Sequence, residues 1–169
     1  MKYEVSQEQY TEFLNKLPYT AQKARTIGAE LDDLAKDAYV FGNTVSGAAD
    51  RNGIILADRG EEGAKSVSFA CNLNKSDGAR GMDGDGQAIA CNYLSVNDML
   101  AYADWSGLRP LSEMEYEKMS RRPYPVRPEK GEFAWNSNEG LILPAGLKEE
   151  GTRAERLATG NVNAQAQLT

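Results

Sequence analysis

The sequence predicts one α+β domain of short helices and strands joined by long irregular loops. The helical segments are brief but carry their own capping residues, and the chain around them is rich in glycine, with 16 glycines in 169 residues. Apolar residues make up 41% of the chain and charged residues 26%, which is typical of a globular domain. A chain of this length can bury a core without a metal or several disulfides.

The N-terminal segment is predicted to form a short strand and then a helix. Residues Lys2–Val5 alternate polar and apolar side chains. Ser6 can cap the helix, Gln9 three positions later completes a capping box, and Pro18 is expected to end it. The face expected to enter the core carries Tyr10, Phe13, Leu14 and Leu17.

The middle of the chain predicts less regular structure. Residues Ala21–Lys36 favour a second helix, although Gly28 near its centre costs about 1 kcal/mol relative to alanine. Residues Phe41–Gly63 predict irregular chain with one short strand at Ile54–Leu56.

A loop rich in glycine and aspartate spans Asn72–Gln87. The pattern at Asp83 and Asp85 lacks the third acidic ligand and the final glutamate of an EF-hand. We therefore expect turns in which the aspartates bond to the local backbone.

The two cysteines leave two alternatives open. Cys71 and Cys91 lie in the similar tetrapeptides FACN and IACN on either side of this loop, which predicts two facing segments. A disulfide between them would close a loop of about 20 residues and stabilise the fold by about 3 kcal/mol. Two buried free thiols acting as small apolar side chains explain the same pattern.

A pair of capped helices is the clearest local pattern. Ser95 or Asn97 can begin a helix that ends before Gly107. After a proline-containing connection, Ser112 and Glu115 form a second capping box. The apolar residues assigned to the two helices are Met99, Leu100, Ala103, Trp105, Met114, Tyr116 and Met119.

The C-terminal part of the chain carries weaker signals. Glu132–Trp135 predicts a short aromatic segment packed on the helix pair. Lys148–Thr169 contain no aromatic residue and few apolar ones. We therefore assign residues 1–147 to the body of the domain and residues 148–169 to an irregular tail of the same domain.

Composition excludes several classes of function. The chain contains no histidine, which removes histidine-based catalytic triads, histidine-bound zinc or iron and histidine pH switches. Its net charge is −6, so a nucleic-acid partner is not expected. No run of residues approaches the length and apolarity of a membrane span.

Several blocks of the chain together resemble a known family. They read NYLS at Asn92–Ser95, YADWSGLRPLSEMEYE at Tyr102–Glu117, FAW at Phe133–Trp135 and MKYEVSQEQYTEFL at Met1–Leu14. In their order and spacing they resemble the formylglycine-generating enzyme family, also called sulfatase-modifying factors. The resemblance implies a C-type lectin-like fold that continues beyond Thr169.

The cysteine positions limit what this resemblance implies about activity. Enzymes of the family oxidise a substrate cysteine with copper held by two closely spaced cysteines near the C-terminus of the domain. Cys71 and Cys91 lie upstream of the matched helix pair and do not correspond to those ligands. A related branch uses histidine-bound iron, and this chain has no histidine. We predict no catalytic residue in this chain.

The resemblance also implies part of a calcium site. In the family, that site begins with an asparagine side chain and the carbonyl that follows it, and here Asn163 and Ala164 fall at that place. Oxygen ligands suit Ca²⁺. The aspartate that completes the site would lie beyond Thr169, and the alternative for this segment is an irregular tail.

Two functions follow as expectations. The first is a non-catalytic binding or structural module for a protein or glycan ligand, exported or at a cell surface. The alternative is the N-terminal part of a copper-dependent formylglycine-generating oxidase whose catalytic cysteines lie outside this chain. A carboxylate hydrolase using Glu113 and Glu117 is disfavoured, because charges four apart on a short helix usually form a solvated face. The aromatic residues Tyr102, Trp105, Tyr116 and Trp135 are assigned to the core rather than to a sugar pocket.

Overall fold

The computed structural model describes residues 4–42, 48–60, 67–120, 130 and 146–159, and they form a mixed α+β structure. The helices are α1 (Gln7–Leu14), α2 (Tyr19–Ala24), α3 (Val96–Trp105) and α4 (Glu113–Ser120). The strands are β1 (Ile54–Asp58), β2 (Ser68–Cys71), β3 (Leu147–Lys148) and β4 (Arg156–Leu157). The predicted α+β class is therefore confirmed.

Helix α1 forms where its capping box predicts. The Ser6 hydroxyl accepts from the Gln9 backbone N–H, and the Gln9 side chain accepts from the Ser6 N–H. The helix ends at Leu14, before Pro18, with Asn15 as its C-cap, and the side chain of Asn15 bonds to β2. Its Nδ2 donates to the Phe69 carbonyl at 3.0 Å, and its Oδ1 accepts from the Phe69 N–H at 2.8 Å. The asparagine amide thus continues the backbone pairing of β2.

The single helix predicted over residues 21–36 is wrong. Helix α2 ends at Ala24, and a 3₁₀ turn follows at Gly28–Asp32. Gly28 has φ +71°, a left-handed conformation that a continuous helix does not contain. The glycine therefore separates two short elements.

The core lies between α1 and an antiparallel pair of strands. β1 pairs with β2, with Ile54 opposite Cys71 and Leu56 opposite Phe69, and the strand predicted at Ile54–Leu56 is confirmed. A second contact comes from Val40, whose N–H donates to the Ile54 carbonyl at 3.0 Å. The core side chains are Tyr10, Phe13, Leu14, Leu31, Val40, Phe41, Ile54, Leu56, Val67, Phe69, Cys71 and Tyr102.

The backbones of the two cysteine segments do not pair with each other, although Cys71 lies near enough to Cys91 to raise its pKa. Cys71 ends β2 and lies opposite Ile54. The Cys91 N–H donates to the Val5 carbonyl at 2.8 Å, and Ala90 forms a bridge with Ser6. The backbone partner of the Cys91 segment is therefore the N-terminal segment at Val5 and Ser6.

The loop between the cysteine segments is organised by a buried carboxylate. Asp85 accepts hydrogen bonds from the backbone N–H groups of Asn74 at 3.3 Å and Met82 at 2.7 Å. Its side chain is fully buried within the turns that it closes. Local bonding by aspartate, predicted for this loop, is confirmed at this residue.

Near the C-terminal end the structure differs from the predicted irregular tail. β3 and β4 form a small antiparallel hairpin, so the boundary placed between residues 147 and 148 falls within a strand. Glu155 accepts hydrogen bonds from the Arg51 guanidinium and from the Gly151 N–H. These polar contacts tie the turn of the hairpin to Arg51, while Leu147 lies opposite Leu157 in its strands. Strands of two residues are too short for apolar patterning to predict. No helix in the described part of the chain is long and apolar enough to cross a membrane.

Candidate functional site

Helix α3 is held to the core by Tyr102 and Trp105, whose rings both contact the Phe13 ring. Tyr102 is buried, and its ring meets the Phe13 ring edge-on with centroids 5.6 Å apart. The Tyr10 ring lies on the other side, 6.3 Å away. Most other apolar side chains of α3 lie outside this contact and are exposed. The helix is therefore anchored along one line and presents the rest of its surface outward.

The connection between α3 and α4 is fixed by polar contacts. The Arg109 guanidinium makes two hydrogen bonds to the Glu115 carboxylate, at 2.6 and 2.8 Å. Glu115 also accepts from the Ser112 N–H, and the Ser112 hydroxyl accepts from the Glu115 N–H, as the predicted capping box requires. The Arg109 and Ser112 bonds hold the pKa of the Glu115 carboxyl well below its usual range. The start of α4 is thereby tied to the connection.

Gly107 ends α3 as the sequence predicts. Its φ is +70°, and the next residue, Leu108, donates its N–H to the Ala103 carbonyl at 2.7 Å. Ser95 caps the other end of α3 and forms a capping box with Asp98. Both ends of the helix are therefore defined by short-range sequence signals.

An apolar groove lies along α3 and the connection, with a volume of about 750 Å³. We call it the α3–α4 groove. Among the described residues that line it, Arg109 is the charged one, and its guanidinium is paired with Glu115. The other lining residues are Val5, Leu94, Val96, Met99, Leu100, Tyr102, Ala103, Gly107, Leu108, Pro110 and Leu111.

Exposed methionines lie in the groove and also on α4. Met99 in the groove is 50% exposed, and on α4 Met114 is 82% and Met119 66% exposed. Methionine side chains are flexible and polarisable, and are common on surfaces that adapt to a partner. The sequence placed these residues among the apolar side chains of the helices and did not identify the groove. The available signal was that three of the five methionines of the chain fall within two short helices.

Exposed acidic side chains lie close in sequence to the groove lining. Between Tyr93 and Met119 the chain has five acidic and two basic residues; Glu115 pairs with Arg109, and Asp98 pairs with Arg25 from outside this stretch. Asp104 directly follows a lining residue of α3, and Glu113 follows the connection; both are exposed. Two exposed carboxylates therefore lie within two residues of the groove lining.

The aromatic residues assigned to the core have different environments. Tyr102 is buried in the core, as predicted. Trp105 packs on Phe13 at 5.5 Å between centroids but is 44% exposed, and Tyr116 is 61% exposed, so the core assignment is wrong for Tyr116. Glu113 and Glu117 lie on the exposed surface of α4. Trp135 lies outside the described residues.

Cys71 and Cys91 are free thiols in the structure, Cys71 buried and Cys91 partly so. Burial raises the pKa of Cys71 to about 11 and that of Cys91 to about 12, and in Cys91 the nearby Cys71 adds to the effect. Both groups are therefore poor nucleophiles at neutral pH, since the thiolate is the reactive form. The proposed disulfide stays a prediction, to be tested by mass measurement without reductant.

The predicted calcium ligands Asn163 and Ala164 lie outside the described residues. Within the described ranges, no three Cys, Asp or Glu side chains come together as a metal site would require.

Comparison with known proteins returned no neighbour. No protein-family model matches the chain, and searches of curated proteins and of solved structures found no significant match. Function is therefore inferred from the residues and geometry of this chain.

Proposed function

We propose that the protein is a non-catalytic binding module on a sulfatase-modifying-factor-like, C-type lectin-like scaffold, and that its α3–α4 groove binds an apolar segment of a protein partner. The observation that carries the proposal is the groove itself, an open apolar concavity of about 750 Å³ between defined helix ends. Ligand-binding clefts commonly have volumes of about 300–1,000 Å³ and mainly apolar linings.

The lining favours binding over chemistry. Its charged group, Arg109, is engaged by Glu115, and the remaining side chains are apolar apart from the buried Tyr102. Catalysis needs a positioned acid, base, nucleophile or metal. The described residues that line the groove include no such group apart from Arg109, which is paired with Glu115. The groove therefore suits recognition of side chains by burial.

A protein segment fits this lining better than a glycan does. Sugar recognition uses exposed aromatic rings together with several polar groups, but Trp105 and Tyr116 do not line the groove. The aliphatic and methionine side chains instead offer surface that an apolar protein segment would cover. We therefore propose a protein partner.

A second copy of this chain is a poorer occupant. The whole chain carries a net charge of −6, and the exposed Asp104 and Glu113 lie close in sequence to the groove lining. Pairing two such grooves would bring like charges together, which opposes association. A partner of different composition avoids this repulsion.

The alternative function accounts for the same exposed surface. If this chain is the N-terminal part of a copper-dependent formylglycine-generating oxidase, a further part of that enzyme would cover the groove. Under that alternative this chain alone lacks the catalytic cysteines and would not oxidise a substrate. Oxygen-dependent conversion of a peptide cysteine to formylglycine by this chain with Cu(I) would therefore contradict both functions.

The binding proposal is tested with a neutral amphipathic peptide of 14 residues, with leucine on one face and glutamine on the other. We expect fluorescence anisotropy to show saturable binding, and Met99→Gln to weaken it about fivefold, a loss of about 1 kcal/mol from reduced apolar burial. Met82→Gln is the matched control, because Met82 is 52% exposed but does not line the groove.

Three results would contradict the proposal. The peptide could fail to bind at millimolar concentration, or the two methionine substitutions could weaken binding equally. Sedimentation could also show concentration-dependent dimers that Met99→Gln disrupts, which would make a second copy the occupant.

A further inference from the structure

On the basis of the proposed function, we infer that the partner segment is a cationic amphipathic helix of about three turns, which lays its apolar face in the α3–α4 groove and its basic residues towards the exposed Asp104 and Glu113. Three features of the groove support this class of ligand: the backbone of its walls, the length of α3, and the charge of the residues near its lining.

The backbone of the groove favours a ligand that binds through side chains. Strand addition requires an open edge of backbone N–H and C=O groups. Here one wall is α3, whose interior backbone groups are bonded within the helix, and the Leu108 N–H at its end is bonded to Ala103. A helix satisfies its own backbone groups and can bury an apolar face without such an edge.

The length of α3 sets the length of the ligand. At 1.5 Å per residue, the ten residues of Val96–Trp105 span about 15 Å. A helix of about ten residues, or three turns, matches this wall and presents two or three apolar anchors at spacings of three and four. Met99, at 50% exposure, can adapt its side chain to different anchors.

The charge around the groove selects a basic ligand. Asp104 and Glu113 flank the lining residues on the two helices, and both are exposed. With these two carboxylates and a net charge of −6 on the chain, lysine or arginine on the ligand is attracted and acidic residues are repelled. The same charge opposes binding to anionic membranes.

Three peptides of the same length test the inference. Each has 14 residues with leucine on the apolar face, and the polar face is lysine, glutamine or glutamate. We expect the lysine peptide to bind at least tenfold tighter than the glutamine peptide at 50 mM salt, and the glutamate peptide to bind most weakly. The preference should fall to less than threefold at 0.5 M salt, because salt screens exposed charges.

Charge variants locate the effect. The double variant Asp104→Asn, Glu113→Gln should reduce the preference for lysine over glutamine at least threefold while leaving the affinity for the glutamine peptide unchanged. The matched control is Glu30→Gln, Asp33→Asn, which removes two exposed charges from a turn outside the groove lining. The control should retain the full preference.

The outcomes separate this inference from the proposed function. Equal affinity for the lysine and glutamine peptides would overturn the cationic ligand but leave the binding groove in place. If no peptide binds, both fail. If Met99→Gln does not change the affinity for the lysine peptide, the peptide binds the charged surface and not the groove. If the protein binds anionic vesicles in preference to the peptides, its ligand is a membrane. Either result overturns the inference.

Discussion

Gln7, the first residue of α1, joins this helix to the turn before β1. Its side chain is fully buried. The amide Nε2 donates to the Arg51 carbonyl at 2.9 Å, and Oε1 accepts from the Gly53 N–H at 2.8 Å. Both partners are backbone groups. One side chain thus satisfies a donor and an acceptor on a segment 44–46 residues away.

Replacing Gln7 with methionine keeps the shape of the side chain and removes both bonds. A buried polar group left without a partner costs about 1–3 kcal/mol, so two such groups predict a loss of about 2–6 kcal/mol. Domains are commonly stable by only about 5–15 kcal/mol. The substitution should therefore remove a large part of the free energy of unfolding.

Urea denaturation followed by circular dichroism measures this loss. With a slope near 2 kcal/mol per molar urea, a loss of about 4 kcal/mol lowers the midpoint by about 2 M. The matched control is Glu12→Met on the exposed face of the same helix, expected to change stability by less than about 0.5 kcal/mol. If Gln7→Met and the control have the same midpoint, these two hydrogen bonds do not stabilise the fold as argued.

Three further predictions concern the core, the thiols and the helix connection. Phe13→Leu removes the ring that anchors α3 and should cost about 1–3 kcal/mol, measured by thermal denaturation; an unchanged midpoint would contradict this. Because burial raises the pKa values of Cys71 and Cys91, their contribution to stability is fully present below pH 9 and is lost as the pH rises towards about 12. Urea titrations should show this decline, and alanine at both cysteines should reduce its slope. Glu115→Gln breaks the ion pair with Arg109 and should speed amide hydrogen exchange in α4, whereas unchanged exchange would show that the pair does not fix the helix.

Helix ends were predictable because their signals are local. Ser6, Ser95 and Ser112 each carry an acceptor for a backbone N–H a few residues away, and all three act as expected. These contacts depend on neighbours within one turn, so a single sequence is enough to identify them.

Long-range partners were less predictable. The two similar cysteine tetrapeptides did not indicate their backbone partners: the Cys91 N–H bonds to the Val5 carbonyl, and Cys71 pairs with Ile54 in the β1–β2 sheet. Similar sequences indicate similar local environments, such as burial in an extended segment, but they do not identify the strand with which each segment pairs. Gly28 shows a related limit. The helix-forming residues on both sides of it predicted one continuous helix, but Gly28 adopts a left-handed conformation and interrupts it.

The groove was missed because apolar residues in a short helix are normally assigned to the core. Tyr102 justifies that assignment on α3, whereas Met99 and Leu100 are half-exposed and Met114 is largely exposed. A short helix packs one face on the core, so apolar residues on its other faces indicate a second apolar surface of the protein. Met114 is such a residue, and the sequence alone already shows it on the second helix.

The most direct test of the binding surface uses the methionines as reporters. In protein labelled with ¹³C at the methionine methyl groups, titration with the lysine-faced peptide should shift the Met99 signal strongly and leave the Met82 signal in place. Saturable peptide binding with an unchanged Met99 signal would contradict the account, because the ligand would then occupy some other part of the molecule.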